Sequence, residues 1–318
     1  MRISVVGNGR WGSFIAWYLN KIGHEVTSCG LAGTPDTERF LKTRSNGMLT
    51  FPEAVHITSD LDAALKAEVV VVSVPSQSLR GLMAQVAQKG MAERQFVLCM
   101  KGLETGTGRR LTEIAGEELG EKARVAVWIG PGHVQEFVRG VPNCMVIDSA
   151  VPADKQRLVE LFSSDLIRFY YGSDLIGNEI GAAAKNVVGI AAGMLDGYGL
   201  TSLKGPLMSR GTREVARLIQ ALGGNELSAY GLCHLGDYEA TVFSPHSHNR
   251  MFGELYAKGE KYDKLAEGYY TVDAMMTLSE KTGVELPISQ VVYDVLYKGR
   301  EPKEALDALF TRSLKQEF

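Results

Sequence analysis

The chain has 318 residues, more than a typical single domain, so two domains are expected. Apolar residues make up 45% and charged residues 22%, as in ordinary globular proteins, and a net charge of -3 argues against nucleic-acid or membrane-surface partners. The four cysteines are scattered and form no C-x-x-C pair, which argues against a disulfide framework or a zinc site. The sequence shows no signal peptide and no apolar run of bilayer length, so we expect a cytoplasmic protein without membrane insertion.

The first predicted unit is a strand, a glycine-rich turn and a helix. Arg2–Val6 is a short apolar strand, and residues 14–19 are an apolar helical stretch. Between them lies a complete G-x-G-x-x-G pattern, formed by Gly7, Asn8, Gly9, Arg10, Trp11 and Gly12. The first glycine allows a tight bend, the second lets the backbone approach a pyrophosphate, and the third lets helix and strand pack closely. Because the helix N-terminus also presents N–H groups to phosphates, the unit predicts a dinucleotide site rather than a merely structural turn.

Strands and helices alternate through the rest of the first half. The predicted strands are residues 25–29, 55–58, 68–74, 95–99, 125–129, 144–147 and 168–171. The predicted helices are one that begins at Asp60 and residues 76–88, 107–119 and 153–162. Such alternation is typical of a parallel, doubly wound sheet. We therefore predict an α/β protein whose residues 1–172 form a Rossmann-type, mostly parallel sheet that binds the dinucleotide.

The second half has a helical period and no strand pattern. The predicted helices are residues 176–195, 207–222, 249–256, 271–282, 288–297 and 302–309. This pattern predicts an all-helical C-terminal domain over residues 173–318.

Two lysines stand where the apolar pattern does not require them. Lys101 follows a buried strand, and ligands of open α/β sheets lie at the carboxyl ends of strands, so we predict that it faces the cofactor; a solvated loop lysine is the alternative. Lys185 and Asn186 lie in an alanine-rich helix, where burial without partners would be costly. A partly desolvated lysine suits proton transfer, which we favour over a lysine that extends along a surface helix into water.

Two further segments carry clustered polar groups. Residues 231–237 end in Asp237, which either orients a lysine or caps a helix. Residues 244–250 open a helix with a dense set of donors that fits anion capture or, equally, a capping loop: Ser247, His248, Asn249 and Arg250. The histidines lack a matching carboxylate or cysteine spacing, so no metal site is predicted.

A series of motifs in order along the chain carries a family resemblance. They are Gly7 to Gly12, Val74-Pro75-Ser76, Lys101-Gly102-Leu103-Glu104, Gly130-Pro131 with Glu136, Lys185-Asn186-Val187, Arg210-Gly211, Leu235-Gly236-Asp237, Asn249-Arg250 with Phe252-Gly253, and Glu267-Gly268. With them the chain resembles the bacterial NAD(P)-dependent glycerol-3-phosphate dehydrogenases over nearly its whole length. The resemblance implies reversible reduction of dihydroxyacetone phosphate to sn-glycerol 3-phosphate, usually for phospholipid synthesis.

The resemblance also implies roles for individual positions. Lys185 would donate a proton to the C2 oxygen, Lys101 would contact both substrate and nicotinamide, and Asp237 would lie beside the lysines. The other substrate-contact positions are Gly130, Gly132, Asn186, Ser247, His248 and Asn249. Besides the glycine-rich turn and Lys101, the cofactor positions are Pro75, Val134, Arg250 and Glu267. The expected partner is a small phosphorylated substrate, and the resemblance favours a homodimer.

The chain departs from the family pattern at several positions. His248 stands where the family usually has an arginine that contacts the substrate phosphate, and a histidine offers a weaker, pH-dependent charge. Ile129 and His133 flank the Gly-Pro motif where serine and phenylalanine are frequent, and residues 200–204 form a segment one residue shorter than usual. Leu31 follows the second strand and offers neither an acid for a ribose diol nor a base for a 2′-phosphate, so the cofactor is NAD or NADP.

These departures keep two alternatives open. One is a related dehydrogenase that acts on a different small 2-keto or hydroxy substrate. The other is a non-catalytic dinucleotide sensor, which is disfavoured because Lys185, Lys101 and Asp237 are all present.

Overall fold

The computed structural model describes residues 1–120 and 123–310, and an eight-stranded sheet organises the first half of them. Its strands, numbered β1 to β8 along the chain, are Arg2–Val6, Glu25–Cys29, His56–Thr58, Val69–Val72, Gln95–Leu98, Arg124–Ile129, Asn143–Ser149 and Ile167–Tyr171. The order across the sheet is β3-β2-β1-β4-β5-β6-β7-β8. All neighbours are parallel except β6 and β7, which confirms the predicted Rossmann-type, mostly parallel sheet.

The antiparallel pair of this sheet follows from a connection that has no full helix. β6 and β7 pair with Ala126 opposite Ser149. Only residues 130–142 join them, and the one helix there has five residues. This connection is long enough by residue count for a parallel crossover, but its five-residue helix spans only about 7.5 Å and cannot return the chain along the sheet, so the chain turns back instead.

Among the described residues of this half, seven α-helices accompany the strands. Helices α1 to α7 are Arg10–Lys21, Pro35–Thr43, Leu61–Ala64, Leu79–Gln88, Leu111–Leu119, Val134–Val138 and Pro152–Phe162. Two of them, α2 and α6, were not predicted. Only Thr37 and Phe40 of α2 are buried, so it has no apolar stripe, and α6 is too short to show a helical period.

Two predicted helices in this half begin later than expected. Residues 76–78 form a single 3-10 turn after Pro75, and α4 starts only at Leu79. Residues 102–109 contain two glycines with positive φ, Gly106 and Gly108, so α5 starts at Leu111 rather than 107.

The core of the first half lies between the sheet and its helices. All four valines of β4 are buried, because helices cover a parallel sheet on both faces. On one side Phe14 of α1 stacks on Phe137 of α6 with ring centroids 4.9 Å apart. The Tyr18 hydroxyl donates to the Phe162 carbonyl at 2.5 Å, and burial raises the pKa of Tyr18 to about 12.

The second half is helical, as predicted. Helices α8 to α13 are Leu175–Gly197, Lys204–Ala221, His248–Ala257, Glu267–Thr282, Pro287–Lys298 and Pro302–Phe310. By its internal contacts the chain divides into two compact units: residues 1–101 with 110–175, and residues 102–109 with 176–318. Residues 102–109 join the helical unit through bonds such as that from Nζ of Lys281 to the Thr107 carbonyl at 2.6 Å. The division between 172 and 173 stays a prediction.

A stripe of glycines runs along α8. Gly189, Gly193 and Gly197 follow each other at intervals of four residues, so they lie within about 80° of one another around the helix. A Cβ at Gly193 would lie 2.0 Å from the Arg250 carbonyl oxygen, and one at Gly253 of α10 would lie 2.1 Å from the Ile190 carbonyl oxygen. The backbones of α8 and α10 therefore touch where only glycine fits. In the part of the chain that the structure describes, no helix has the length and apolarity to cross a membrane.

Candidate functional site

The glycine-rich turn after β1 requires glycine at two positions for steric reasons. Gly7 has φ +102°, and a Cβ there would lie 2.1 Å from the Ser73 carbonyl oxygen. A Cβ at Gly12 would lie 1.8 Å from the Gly7 carbonyl oxygen. These contacts bring the turn against the end of β4 and close α1 onto β1, as expected for the first and third glycines of a dinucleotide-binding turn.

Gly9 differs from the other two glycines, because a Cβ there would meet no atom within 4 Å. Gly9 is the N-cap of α1, where it provides no side-chain cap, and the first turn of the helix carries no acidic residue. The N-terminus of α1 therefore offers backbone N–H groups and its positive dipole end to open space. This arrangement fits the pyrophosphate of a dinucleotide.

The other three residues of the turn hold it in place. Nδ2 of Asn8 donates to Oγ1 of Thr37 at 3.1 Å, which ties the turn to α2. Nη2 of Arg10 donates to Oε1 of Gln135 at 2.7 Å. The ring of Trp11 lies with its centroid 5.2 Å from that of Phe14.

The segment after β2 has an uncharged residue at the position predicted to face the adenosine. Leu31, two residues after the last residue of β2, is 75% exposed. It provides neither an acid nor a base to select between the two dinucleotides, as the sequence suggested. Pro75, at the end of the segment after β4, is exposed.

Lys101 and the Gly-Pro-Gly turn after β6 are brought together in the first unit. Nζ of Lys101, which follows β5, donates to the Gly130 carbonyl at 2.5 Å. Gly130 and Gly132 both have positive φ, and a Cβ at Gly132 would lie 2.3 Å from the ring of Phe137. Val134, the first residue of α6, is buried in the core. The turn is therefore fixed by steric contacts, and Lys101 bonds to its backbone.

A buried ion pair lies in the helical unit. Nζ of Lys185 on α8 lies 2.7 Å from Oδ2 of Asp237, and it also donates to Oγ1 of Thr241 at 2.7 Å. Asp237 ends the 3-10 turn Leu235–Asp237, and Thr241 lies in the π-helical turn Glu239–Phe243. The lysine predicted as proton donor and the aspartate predicted to orient it therefore do meet. Thr241 was missed, because an isolated threonine in an irregular segment gives no sequence signal.

A buried, uncharged histidine lies close to this ion pair. His234 is fully buried, its Nδ1 pairs with the Gly181 carbonyl at 2.9 Å, and its Nε2 pairs with the Tyr238 hydroxyl at 2.7 Å. A carbonyl only accepts, so Nδ1 carries the proton and Nε2 accepts from the tyrosine. Burial lowers the pKa of His234 to about 4. The imidazole is uncharged at neutral pH, so it adds no second positive charge beside Lys185. His234 lies within the polar segment 231–237 singled out from the sequence, but no role was predicted for it.

Two asparagines connect three helices beside the ion pair. Nδ2 of Asn249 on α10 donates to Oδ1 of Asn186 on α8 at 3.0 Å. Its Oδ1 accepts from the backbone N–H of Gly268 on α11 at 2.9 Å. A Cβ at Gly268 would lie 2.7 Å from the Asn186 carbonyl oxygen, so α11 also approaches α8 at a glycine. Glu267 is the first residue of α11.

The remaining predicted residues lie at the start of α10. Ser247 is its N-cap, and its hydroxyl accepts from the Arg250 N–H at 3.3 Å. Nδ1 of His248 makes a short hydrogen bond with the Tyr262 hydroxyl. Nη1 of Arg250, a predicted cofactor residue, donates to Asp196 at 2.7 Å. Thus the predicted capping role of Ser247 is present, and Arg250 takes part in an ion pair within the helical unit.

Among the described residues, no group of three or more histidine, cysteine, aspartate or glutamate side chains is placed to hold a metal ion.

Comparison with known proteins identifies relatives over the whole length of the chain. The family model for the NAD-dependent glycerol-3-phosphate dehydrogenase N-terminus matches residues 2–155, and the corresponding C-terminus model matches residues 174–307. A glycerol-3-phosphate dehydrogenase (NAD(P)+) of Pelodictyon phaeoclathratiforme is 35% identical, with 100% of this chain and 99% of the relative covered. The corresponding protein of Geobacillus kaustophilus is 36% identical over 99% of this chain and 96% of its own. The crystal structure of glycerol-3-phosphate dehydrogenase from Coxiella burnetii superposes with a TM-score of 0.90 at 28% identity, covering 98% of this chain and 99% of that one.

Proposed function

The chain belongs to the NAD-dependent glycerol-3-phosphate dehydrogenase family, and on that premise we propose that it reduces dihydroxyacetone phosphate to sn-glycerol 3-phosphate, reversibly, with NADH or NADPH. Members of this family are oxidoreductases, and the full-length similarity to them supports this activity. The product is a precursor of glycerophospholipids.

The observation that carries the proposal is the buried ammonium group of Lys185. An unpaired ammonium inside an apolar helix would be strongly disfavoured, but here Asp237 and Thr241 both accept from it at 2.7 Å. Both acceptors stabilise the charged form and fix the direction of Nζ. Lys185 is thus a proton donor in a fixed orientation. It is suited to protonate the oxygen of a ketone as that oxygen becomes an alkoxide.

The glycine-rich turn would bind the second participant in the reaction. When bound, the nicotinamide dinucleotide supplies the hydride that the ketone carbon accepts. The N-terminus of α1 would hold the pyrophosphate over Gly9, where there is open space. Lys101 contributes a further cation, which its bond to the Gly130 carbonyl keeps in a defined direction.

The start of α10 would receive the phosphate of the substrate. Ser247, His248 and Asn249 stand at this helix N-terminus, where backbone N–H groups and the helix dipole favour an anion. The Tyr262 hydroxyl fixes the imidazole of His248 through Nδ1. Asn249 links this end to Asn186, which follows Lys185 directly. The proposed anion site and the proposed proton donor are therefore connected through one hydrogen bond of 3.0 Å.

A paired activity assay tests the proposal. Oxidation of NADH and of NADPH is followed at equal concentrations while dihydroxyacetone phosphate is added, and the reverse reaction is followed with sn-glycerol 3-phosphate. The proposal requires turnover with at least one of the two cofactors in both directions. No turnover with either cofactor would reject it.

A different small ketone is the second candidate substrate, and His248 favours it. The imidazole bound to Tyr262 gives a weaker and differently shaped anion contact than an arginine would. A screen of phosphorylated and unphosphorylated ketones separates the two candidates by their values of kcat/KM.

The proposal includes a cellular setting. We expect the protein to act in the cytoplasm on a small phosphorylated substrate and to form a homodimer. The free cysteines are consistent with a reducing compartment. Light scattering of the purified protein measures the assembly state directly.

A further inference from the structure

One carboxylate on α8 is shared by two buried cations. Oδ2 of Asp196 accepts from Nζ of Lys204 at 2.6 Å and from Nη1 of Arg250 at 2.7 Å. Its Oδ1 accepts from the Thr201 hydroxyl at 3.0 Å. The side chains of Asp196, Lys204 and Arg250 are all largely buried. A buried cluster of charges contributes little net stability, so stability alone does not explain why these three residues are present.

Both cations also donate to the backbone just after Thr241. Nζ of Lys204 donates to the Val242 carbonyl at 3.0 Å, and Nε of Arg250 donates to the Ser244 carbonyl at 3.0 Å. The chain is therefore held at two points, one and three residues beyond Thr241.

The same segment is pressed against α8 at Thr241 itself. A Cβ at Gly189, one turn beyond Lys185, would lie 2.7 Å from Cγ2 of Thr241. On the other side of Thr241, the Tyr238 hydroxyl is held by His234, and the Val242 N–H donates to the Tyr238 carbonyl at 2.6 Å. The position of the Thr241 hydroxyl thus depends on contacts made by the residues before and after Thr241 in the chain.

We propose that Asp196 is a positioning residue for the proton donor. Through Lys204 and Arg250 it fixes the backbone after Thr241, and this keeps the Thr241 hydroxyl at hydrogen-bond distance from Nζ of Lys185. Asp196 and Lys185 lie on one helix, about 16 Å apart along its axis, so α8 itself sets the distance between the two ends of the arrangement. This inference rests on the proposed function in one respect, the role of Lys185 as proton donor.

The charge state of Asp196 agrees with this role. Burial alone would raise the pKa of its carboxyl, but the hydrogen bonds from Lys204 and Arg250 lower the pKa below its ordinary value. The carboxylate is therefore ionised throughout the neutral range and can hold both cations.

A double-mutant cycle between Asp196→Asn and Thr241→Val tests the proposal. Asp196→Asn keeps the shape of the side chain and removes its charge. We expect kcat for ketone reduction to fall by roughly tenfold to 100-fold, with little change in KM, because a small displacement of catalytic groups lowers the rate without removing substrate contacts. In the Thr241→Val background the same substitution should lower kcat by less than about twofold, because the contact that it controls is already absent.

The matched control is Asp294→Asn. Asp294 on α12 also forms an ion pair, with Lys298 at 2.8 Å, and it accepts from Gln290, so these two partners lie on its own helix. Its replacement should leave kcat unchanged. If Asp196→Asn does not fold, Lys204→Met removes both the donor to the Val242 carbonyl and one of the two cations on Asp196, and it is expected to give the same pattern.

Two results would overturn the proposal: wild-type kcat in the Asp196→Asn enzyme, or equal losses of kcat in the two backgrounds. Hydrogen exchange separates this outcome from a failure of the proposed function. If the wild-type protein does not reduce dihydroxyacetone phosphate, amide exchange in residues 239–244 still measures the positioning. Exchange that is faster in Asp196→Asn than in the wild type supports it, and unchanged exchange contradicts it.

Discussion

Nζ of Lys185 lies 2.7 Å from Oδ2 of Asp237, with side-chain exposures of only 8% and 1%. A buried ion pair of this kind adds little net stability compared with well-packed apolar side chains. Its presence inside the alanine-rich helix α8 therefore points to chemistry. The third partner, Thr241, completes a set in which the ammonium group is oriented by two acceptors.

Replacement of Lys185 should abolish most of the activity. In Lys185→Ala we expect kcat for ketone reduction to fall by about 10²- to 10⁴-fold, because the proton donor is lost. Lys185→Arg should not restore it, since a guanidinium does not give up a proton at neutral pH. Steady-state assays of both variants, with the exposed-lysine variant Lys298→Ala as control, measure the effect. A Lys185→Ala enzyme within a few fold of wild type would mean that another residue supplies the proton.

Two glycines of the turn should respond in opposite ways to alanine. Gly12→Ala places a Cβ where the Gly7 carbonyl oxygen lies, so we expect a loss of stability of about 1–3 kcal/mol or more. Gly9→Ala meets no protein atom, so its thermal melting temperature should stay close to that of the wild type, while KM for the dinucleotide rises by roughly tenfold. Thermal melting and cofactor titration of both variants separate the two roles. Equal cofactor affinity in Gly9→Ala and wild type would argue against a pyrophosphate at this position.

The stability of the protein should decrease in mild acid because of His234. Its pKa in the folded protein is about 4, against an ordinary value of 6.5, so the unfolded chain takes up a proton there that the folded protein does not. The contribution is fully present above pH 6.5 and is lost as the pH falls toward 4, by about 3 kcal/mol in all. Urea unfolding at several pH values measures this slope. His234→Gln should flatten it, whereas the exposed control His56→Gln should keep it; the same slope in both variants would exclude His234 as its source.

His248 should act on the phosphate of the substrate. We expect His248→Ala to raise KM for dihydroxyacetone phosphate by about tenfold to 100-fold, the value of a hydrogen bond to a charged group, and to leave KM for unphosphorylated dihydroxyacetone nearly unchanged. Tyr262→Phe, which removes the hydroxyl bonded to Nδ1, should show a smaller effect in the same direction. A sharp gain in kcat/KM for dihydroxyacetone phosphate in His248→Arg would instead indicate that the natural substrate is a different ketone.

A single substitution at Leu31 should change the preference between NADH and NADPH. An acid at this position can accept from the ribose diol of NADH and repels the 2′-phosphate of NADPH. In Leu31→Asp we expect the ratio of kcat/KM for NADH to that for NADPH to rise by roughly tenfold or more. Leu41→Asp, at another exposed leucine on the nearby helix α2, is the control and should not change the ratio. An unchanged ratio in Leu31→Asp would show that residue 31 does not approach the adenosine ribose.

Much of the fold could be predicted from local patterns. Three features could be recognised from neighbouring residues alone: the valine run of β4, the glycine-rich turn before α1 and the apolar pattern of α8. Each can be predicted because burial and turn geometry restrict the residue types within a few positions of the chain. Helix α2 was not predicted because it buries too few apolar residues to show a helical period in the sequence. The antiparallel pairing of β7 with β6 follows from the lack of a full helix in their connection, which the alternation of strands and helices does not reveal.

The sequence by itself determined the residue types of the proposed chemistry: glycines for phosphates, and a lysine and an aspartate for proton transfer. Only the tertiary structure decided which side chains meet. Thr241 reaches Lys185 across 56 positions of the chain, and Asp196 gathers Lys204 and Arg250 from two other helices. Such contacts depend on how closely whole helices approach, here through the glycines of α8, and no pattern local to either partner encodes that distance.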